Sequence, residues 1–346
     1  MSIHYRRIRE LLIPVLANLA FASGICACST GLPSFDAEGG RAEAPIFLAC
    51  RTVSATEIAF RFSKPVRVSS LYLDPPGDIG SIEEGEEVFL SLNRPFPGGE
   101  QVMADILVVD EKGNTLNVLV PFRARNDNIP PIVINELRTE YSRPRVEFVE
   151  LKALAAGNIG ALRLFIASAS MENPFYEFPP VNVKAGDYIV LHLRTLDPDS
   201  INETGANLAE SPYTKDNEAQ PEARDFWIPD AKKYISKKGD AIFLLDQDNR
   251  ILDALLFCET ATPWWQDAAL ANAAAYLHEE GAWISASGEV PGPVDAVLSR
   301  DTTATRTISR DEEKADTNTA ADWYITAASN HTPGLKNSDK RFVPKE

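Results

Sequence analysis

Cysteine and histidine are scarce in this 346-residue chain, with four of each. No His stands three to five residues from another His or from a Cys, so the spacing that builds zinc sites is missing. There is no Gly-x-Ser-x-Gly turn and no glycine-rich phosphate loop, which removes the common signatures of serine hydrolases and nucleotide binders. Basic clusters are absent as well: 34 Lys and Arg face 50 Asp and Glu, for a formal charge of −16. A surface of that sign repels a phosphate backbone, so no nucleic-acid partner is expected. No uninterrupted apolar run reaches the roughly 20 residues that a membrane-spanning helix requires.

The first segment carries Arg6, Arg7 and Arg9, an apolar run over 11–22, and then Ser23-Gly24-Ile25-Cys26-Ala27-Cys28. A basic start, a short apolar stretch and a small-residue end make an export signal. Its end resembles a bacterial lipobox, with Ile25 three residues before Cys28 and Ala27 just before it. Cys26 stands where Ala, Ser or Thr is usual. The resemblance implies cleavage of residues 1–27, acylation of Cys28 and a lipid anchor in a membrane of the bacterial cell envelope. Losing residues 1–27 deletes three Arg and one Glu and takes the charge from −16 to −18. Residues 28–43, rich in Gly and small polar side chains, read as a tether. Cys50 and Cys258 then remain, and two thiols make no disulfide framework; both are expected to be separately buried.

Over 44–126 short alternating segments such as Ile58-Ala59-Phe60-Arg61-Phe62 and Leu116-Asn117-Val118-Leu119-Val120 predict six or seven strands. Lys112-Gly113-Asn114 supplies a hairpin turn. The expected fold there is an immunoglobulin-like β-sandwich, and Thr56 to Val66 resembles the opening strands of bacterial immunoglobulin-like modules. Asn126-Asp127-Asn128-Ile129-Pro130-Pro131 breaks the pattern and is read as a stiff connection.

From Ile132 a spaced series of phrases follows: Ile132-Val133-Ile134-Asn135-Glu136-Leu137, Val146-Glu147-Phe148-Val149-Glu150-Leu151, Val183 to Leu191, Gly239 to Asp246 with Ile251 to Ala254, then Ser309-Arg310, Asp322-Trp323 and Thr332-Pro333-Gly334-Leu335-Lys336-Asn337. In this order they resemble the lamin tail domain, which implies a second immunoglobulin-like sandwich over 130–340. The whole is thus expected to be all-β, two such sandwiches in tandem, with insertions near 196–238 and 259–298. Residues 264–280, rich in Ala and Leu, predict a helix in the second insertion. His192 is expected on a strand edge. Asp246-Gln247-Asp248-Asn249-Arg250 lacks the sixth-position Gly and twelfth-position Glu of a calcium loop and reads as a hairpin turn.

No metal, cofactor or catalytic group is assigned. The adjacent Trp264 and Trp265 cannot easily share one buried face, so at least one is expected at the surface as an anchor for a protein or glycan partner. Trp227, in the other insertion, is the third candidate contact and is expected to pack with its neighbours on the same helix. The function expected from the resemblance is that of a membrane-anchored, noncatalytic binding or scaffolding protein. Two alternatives are an accessory role to an envelope or secreted nuclease or phosphoesterase, and a surface adhesin.

Overall fold

The computed structural model describes residues 43–344, apart from 209, 212–213, 215–217 and 230–231. The expected signal, Cys28 and all but the last residue of the tether lie outside the described residues. What is described is all-β with one α-helix.

The N-terminal part is one six-stranded antiparallel sheet made of β1 (Phe47–Ser54), β2 (Glu57–Asp74), β3 (Ile79–Glu83), β4 (Gly85–Leu92), β5 (Gln101–Asp110) and β6 (Thr115–Arg123). The 18-residue β2 organises it. Its first half pairs with β1 and β4 and its second half with β5, the partner change falling at register shifts near Arg61–Val66 and Val68–Ser70. Such irregularities bend a strand and re-aim its side chains. Alternation places Phe60, Phe62, Val88, Leu90, Val102 and Ile106 in one buried cluster.

The rest of the chain runs β7 (Ile132–Arg138), β8 (Phe148–Ala153), β9 (Gly157–Asn158), β10 (Arg163–Ile166), β11 (Tyr176–Glu177), β12 (Asn182–Val183), β13 (Tyr188–His192), β14 (Ala223–Trp227), β15 (Gly239–Leu245), β16 (Ile251–Cys258), α1 (Ala268–Glu279), β17 (Val297–Leu298), β18 (Ile308–Arg310) and β19 (Trp323–Ile325). A six-stranded sheet, β14-β13-β8-β7-β18-β19, and a five-stranded sheet, β11-β10-β15-β16-β17, contribute to one core; β9 and β12 form a separate ribbon. Ile134, Leu151 and Leu191 from the first sheet join Leu164, Ile242 and Leu255 from the second in that cluster.

Both expected insertions add to these layers. Residues 196–238 read as a polar stretch, yet they supply β14, an edge strand parallel to β13 with all five residues buried. Its charged side chains hid it, because Arg224 and Asp225 enter the interior with partners the sequence does not reveal. Arg224 donates to the Glu203 and Gly205 carbonyls, and Asp225 meets His192. The second insertion carries α1, whose Leu270, Ala273, Ala274 and Leu277 are buried at helical spacing. The two leucines contribute roughly 1.5–3 kcal/mol each by burial. The helix lies on β15: Tyr276 meets the Phe243 ring, itself stacked on Phe165 at 5.0 Å. A Cβ at Gly239 would come within 2.9 Å of Leu270 Cδ1, so glycine admits the close approach. α1 begins at Ala268, later than the expected 264, because the Asp267 carboxylate accepts from the Ala269 N–H and sets the first turn.

The connection at 126–131 is folded into a tight contact. Asn126 and Gln247 exchange hydrogen bonds of 2.8 and 3.0 Å, and the Asn126 amide donates to the Asn158 and Gly160 carbonyls. Arg125 forms a two-pronged pair with Asp248 at 2.9 and 2.8 Å. Asp246 to Arg250 is indeed the β15–β16 turn, with Asp246 accepting from the Asp248 and Arg250 N–H groups. Its tip serves as the docking point for the connection.

Candidate functional site

Glu136 and Glu150 are direct cross-strand partners on β7 and β8, and both are fully buried. Two adjacent carboxylates out of water are unfavourable unless each is hydrogen-bonded or protonated. The closing segment 332–337 meets that need. Glu136 accepts from the Thr332 N–H at 3.0 Å and from the Thr307 and Ser309 hydroxyls. Glu150 accepts from the Gly334 N–H and, at 2.7 Å, from the Asn135 amide. Asn337 donates its backbone N–H to Glu312 at 2.7 Å and its side-chain amide to the Asn135 and Arg310 carbonyls. Asn135-Glu136, Glu150, Ser309-Arg310 and the closing Thr332-to-Asn337 run, from four of the phrases singled out in the sequence, therefore converge in one clamp.

Beside the clamp lies a cavity of about 140 Å³ bounded by Val133, Asn135, Lys152, Arg310, Glu312 and Asp316 among others. Its charged groups are engaged in closure. Glu312 holds Lys152, Asp316 lies 3.0 Å from Arg310, and Asp311 holds Arg341 and Lys314. Among the described residues no group of three His, Cys, Asp or Glu side chains is placed to hold a metal ion. The thiols are poor nucleophiles here: burial pushes Cys50 up to about 12 and also raises Cys258. Both are free, Cys50 half-buried and Cys258 buried.

Burial raises the proton affinity of both Glu136 and Glu150, and for Glu150 the neighbouring Glu136 charge adds to it. Burial also holds Asp240 up at about 6. A carboxyl raised in the fold contributes stability below its unfolded value, and that contribution is lost as pH rises through the folded value. Glu218 has the opposite sign. Its neighbours Arg138 and His331 bring it down to about 2 despite burial, so its contribution is lost only as pH falls below its unfolded value toward 2. The melting temperature is therefore expected to fall as pH rises from 5 to 8. Glu150→Gln should flatten that slope in thermal unfolding followed by circular dichroism, each tenfold change in proton affinity being worth about 1.4 kcal/mol. An unchanged slope would show that Glu150 does not set it.

The three tryptophans singled out in the sequence do not come together. Trp227 is 4% exposed and stacks on His192 at 4.9 Å, so it offers no surface for a partner. Its neighbour Phe226 packs on Phe178 and Tyr176, not on α1 as expected, because β14 belongs to the six-stranded sheet. His192 sits on an inner strand between β8 and β14, not at an edge, with Nε2 2.8 Å from Asp225. Trp265 is half-buried against the core, its indole N–H donating to the Pro291 carbonyl at 2.9 Å. Trp264 is 66% exposed.

Trp264 does not stand alone. Gly292 faces both the Pro263 carbonyl and Val294, each 3.9 Å from where a Cβ would sit, so the 262–265 loop lies along the 290–294 loop. The first of these loops carries Trp264 and the second Val290 and Val294, 49% and 65% exposed, so that together the loops form an apolar lip. The sequence reading missed these valines; the signal was the Val290-Pro291-Gly292-Pro293-Val294 run, where prolines stiffen a turn that displays its flanking residues. Exposed apolar residues gathered on rigid loops are a common form of binding surface.

A protein of Treponema pallidum (strain Nichols), described as uncharacterized, is 28% identical over 247 residues, covering 69% of this chain and 61% of that protein's length. The crystal structure of a DUF4876 family protein from Bacteroides thetaiotaomicron VPI-5482 aligns over 80% of this chain and 94% of its own, at 12% identity and a TM-score of 0.32, a likeness too loose to carry an argument. Residues 130–325 match the family described as the TP_1001 protein second domain, a match that starts within the folded connection and takes in both layers and both insertions. With that match spanning more than half of its length, the chain belongs to the TP_1001 second-domain family.

Proposed function

We propose that this protein is a lipid-anchored cell-envelope protein, held through Cys28, that acts as a noncatalytic binding or scaffolding module. In this reading the N-terminal sheet and the two-layered part are immunoglobulin-like units in tandem, the second lamin-tail-like. The observation that carries it is Trp264, two-thirds exposed on a loop that lies along the proline-bounded loop bearing the exposed Val290 and Val294. The division of labour supports it: the clamp's carboxylates are engaged in closing the fold, while the 259–298 insertion places large apolar groups in solvent.

Crosslinking on intact cells, with partners identified by mass spectrometry, tests it. Trp264→Ala should leave the melting temperature unchanged and reduce capture of an envelope protein or glycan about thirtyfold, the effect of losing roughly 2 kcal/mol at an anchor position. Trp265→Ala is the wrong variant for this purpose, because it also removes core contact and a hydrogen bond. Equal capture by wild type and Trp264→Ala would rule out this surface.

A further inference from the structure

We infer that the Trp264 lip receives a cationic segment of a protein partner, one bearing Lys or Arg beside an apolar side chain. This rests on the binding role proposed for the Trp264 surface and adds the partner's chemistry. Residues 259–298 contain Glu259, Asp267, Glu279, Glu280, Glu289 and Asp295 but neither Lys nor Arg. Along the chain, acidic residues flank each apolar member of the lip. Asp267 follows Trp264 by three residues, Glu289 precedes Val290, and Asp295 follows Val294. Asp267 is fixed by capping α1 and Asp295 by accepting from the Gly292 N–H at 3.0 Å, so two of the three charges are held in place. Among the neighbouring basic residues, Lys237 and Lys238 meet this region through their carbonyls, which accept from Ser299 and Glu259, and Arg163 lies near Tyr276 on α1.

An acidic rim around an apolar centre selects by sign. Anionic lipid headgroups and nucleic-acid phosphates are repelled. A neutral glycan gains stacking on Trp264 but nothing from the valines or from the charge. A polypeptide that sets an apolar residue into the lip and Lys or Arg against the rim satisfies both parts.

The test places the photoreactive residue benzoylphenylalanine at Val294 of the full-length protein in intact cells, with crosslinked peptides sequenced by mass spectrometry. Beside it runs an Asp267→Asn/Glu289→Lys variant, which keeps an N-cap residue on α1 and changes an exposed side chain, so it folds. The expected adduct is a partner peptide with Lys or Arg within a few residues of the crosslink. Its yield should fall about tenfold in the double variant, and should fall in wild type at high salt. Adducts on carbohydrate, lipid or a peptide without basic residues, or a yield indifferent to the double variant, would overturn the cationic partner while leaving the Trp264 surface standing. No adduct, together with capture unaffected by Trp264→Ala, would overturn the surface and this inference with it.

Discussion

Replacing Arg310 by Ala is expected to destabilise the fold by about 3–5 kcal/mol, because it strands a buried carboxylate without its cation. The guanidinium of Arg310 lies nearly out of solvent between the two layers. Its Nε donates to the Ile134 carbonyl at 2.7 Å and its Nη2 to Asp253 at 2.6 Å, while the group stacks over Trp323 at 4.4 Å. Asp253 is itself buried, and its other partners are the Ile134 and Ala254 N–H groups. Removing Arg310 thus leaves a carboxylate in the interior with backbone N–H partners but no cation, and the penalty comes mainly from that abandoned group. Two variants separate this from loss of volume. Arg310→Lys keeps the charge but not the fork geometry and should recover part of the loss. Arg310→Met/Asp253→Leu removes both charges and should recover more. Urea unfolding of the purified protein measures all three, and a double variant as unstable as Arg310→Ala would show that packing, not the orphaned charge, dominates.

Gly160→Val is expected to break the contact between the N-terminal sheet and the rest of the molecule while leaving each core folded. A Cβ at Gly160 would lie 1.9 Å from the Gly98 carbonyl oxygen, and Gly99 in turn faces Ala161 N at 2.5 Å. Backbone meets backbone there, so no side chain can rotate away. The polar contacts nearby cannot offset such a clash. The Arg125–Asp248 pair is partly exposed and worth at most about 1 kcal/mol, and Arg125→Ala should have only a slight effect. Small-angle scattering should show a larger radius of gyration for Gly160→Val, and protease should cut at 126–131, where wild type is expected to resist. Because the two hydrophobic clusters are separate, circular dichroism should change little. Unaltered scattering and protection would mean that the contact rearranges around the added side chain.

Much of the architecture was legible because it depends on local periodicity. Alternation at Ile58, Phe60 and Phe62 marked a strand with one buried face, and Ala and Leu spacing marked α1 to within a few residues. The Asp246 turn was readable from the backbone preferences of Asp and Asn. β14 was not, since Arg224 and Asp225 look like solvent-facing residues until Glu203 and His192 are seen beside them. The spaced phrases from Ile132 to Asn337 stood out in the sequence without showing what joins them. Glu136 and Glu150 read as the polar half of an alternating strand, and their burial depends on a segment almost 200 residues away along the chain.

The sequence alone determined the all-β class, the strand and helix propensities, the acidic charge and the absence of zinc or phosphate-loop spacing, all of which follow from composition and from repeats over a few residues. Tertiary structure decided which charges are buried, which tryptophan faces solvent and how the connection is docked. Those outcomes arise where distant segments meet: Trp264 and Trp265 are chemically identical neighbours, and the core and the Pro291 carbonyl, brought alongside by the fold, hold one inward and leave the other exposed.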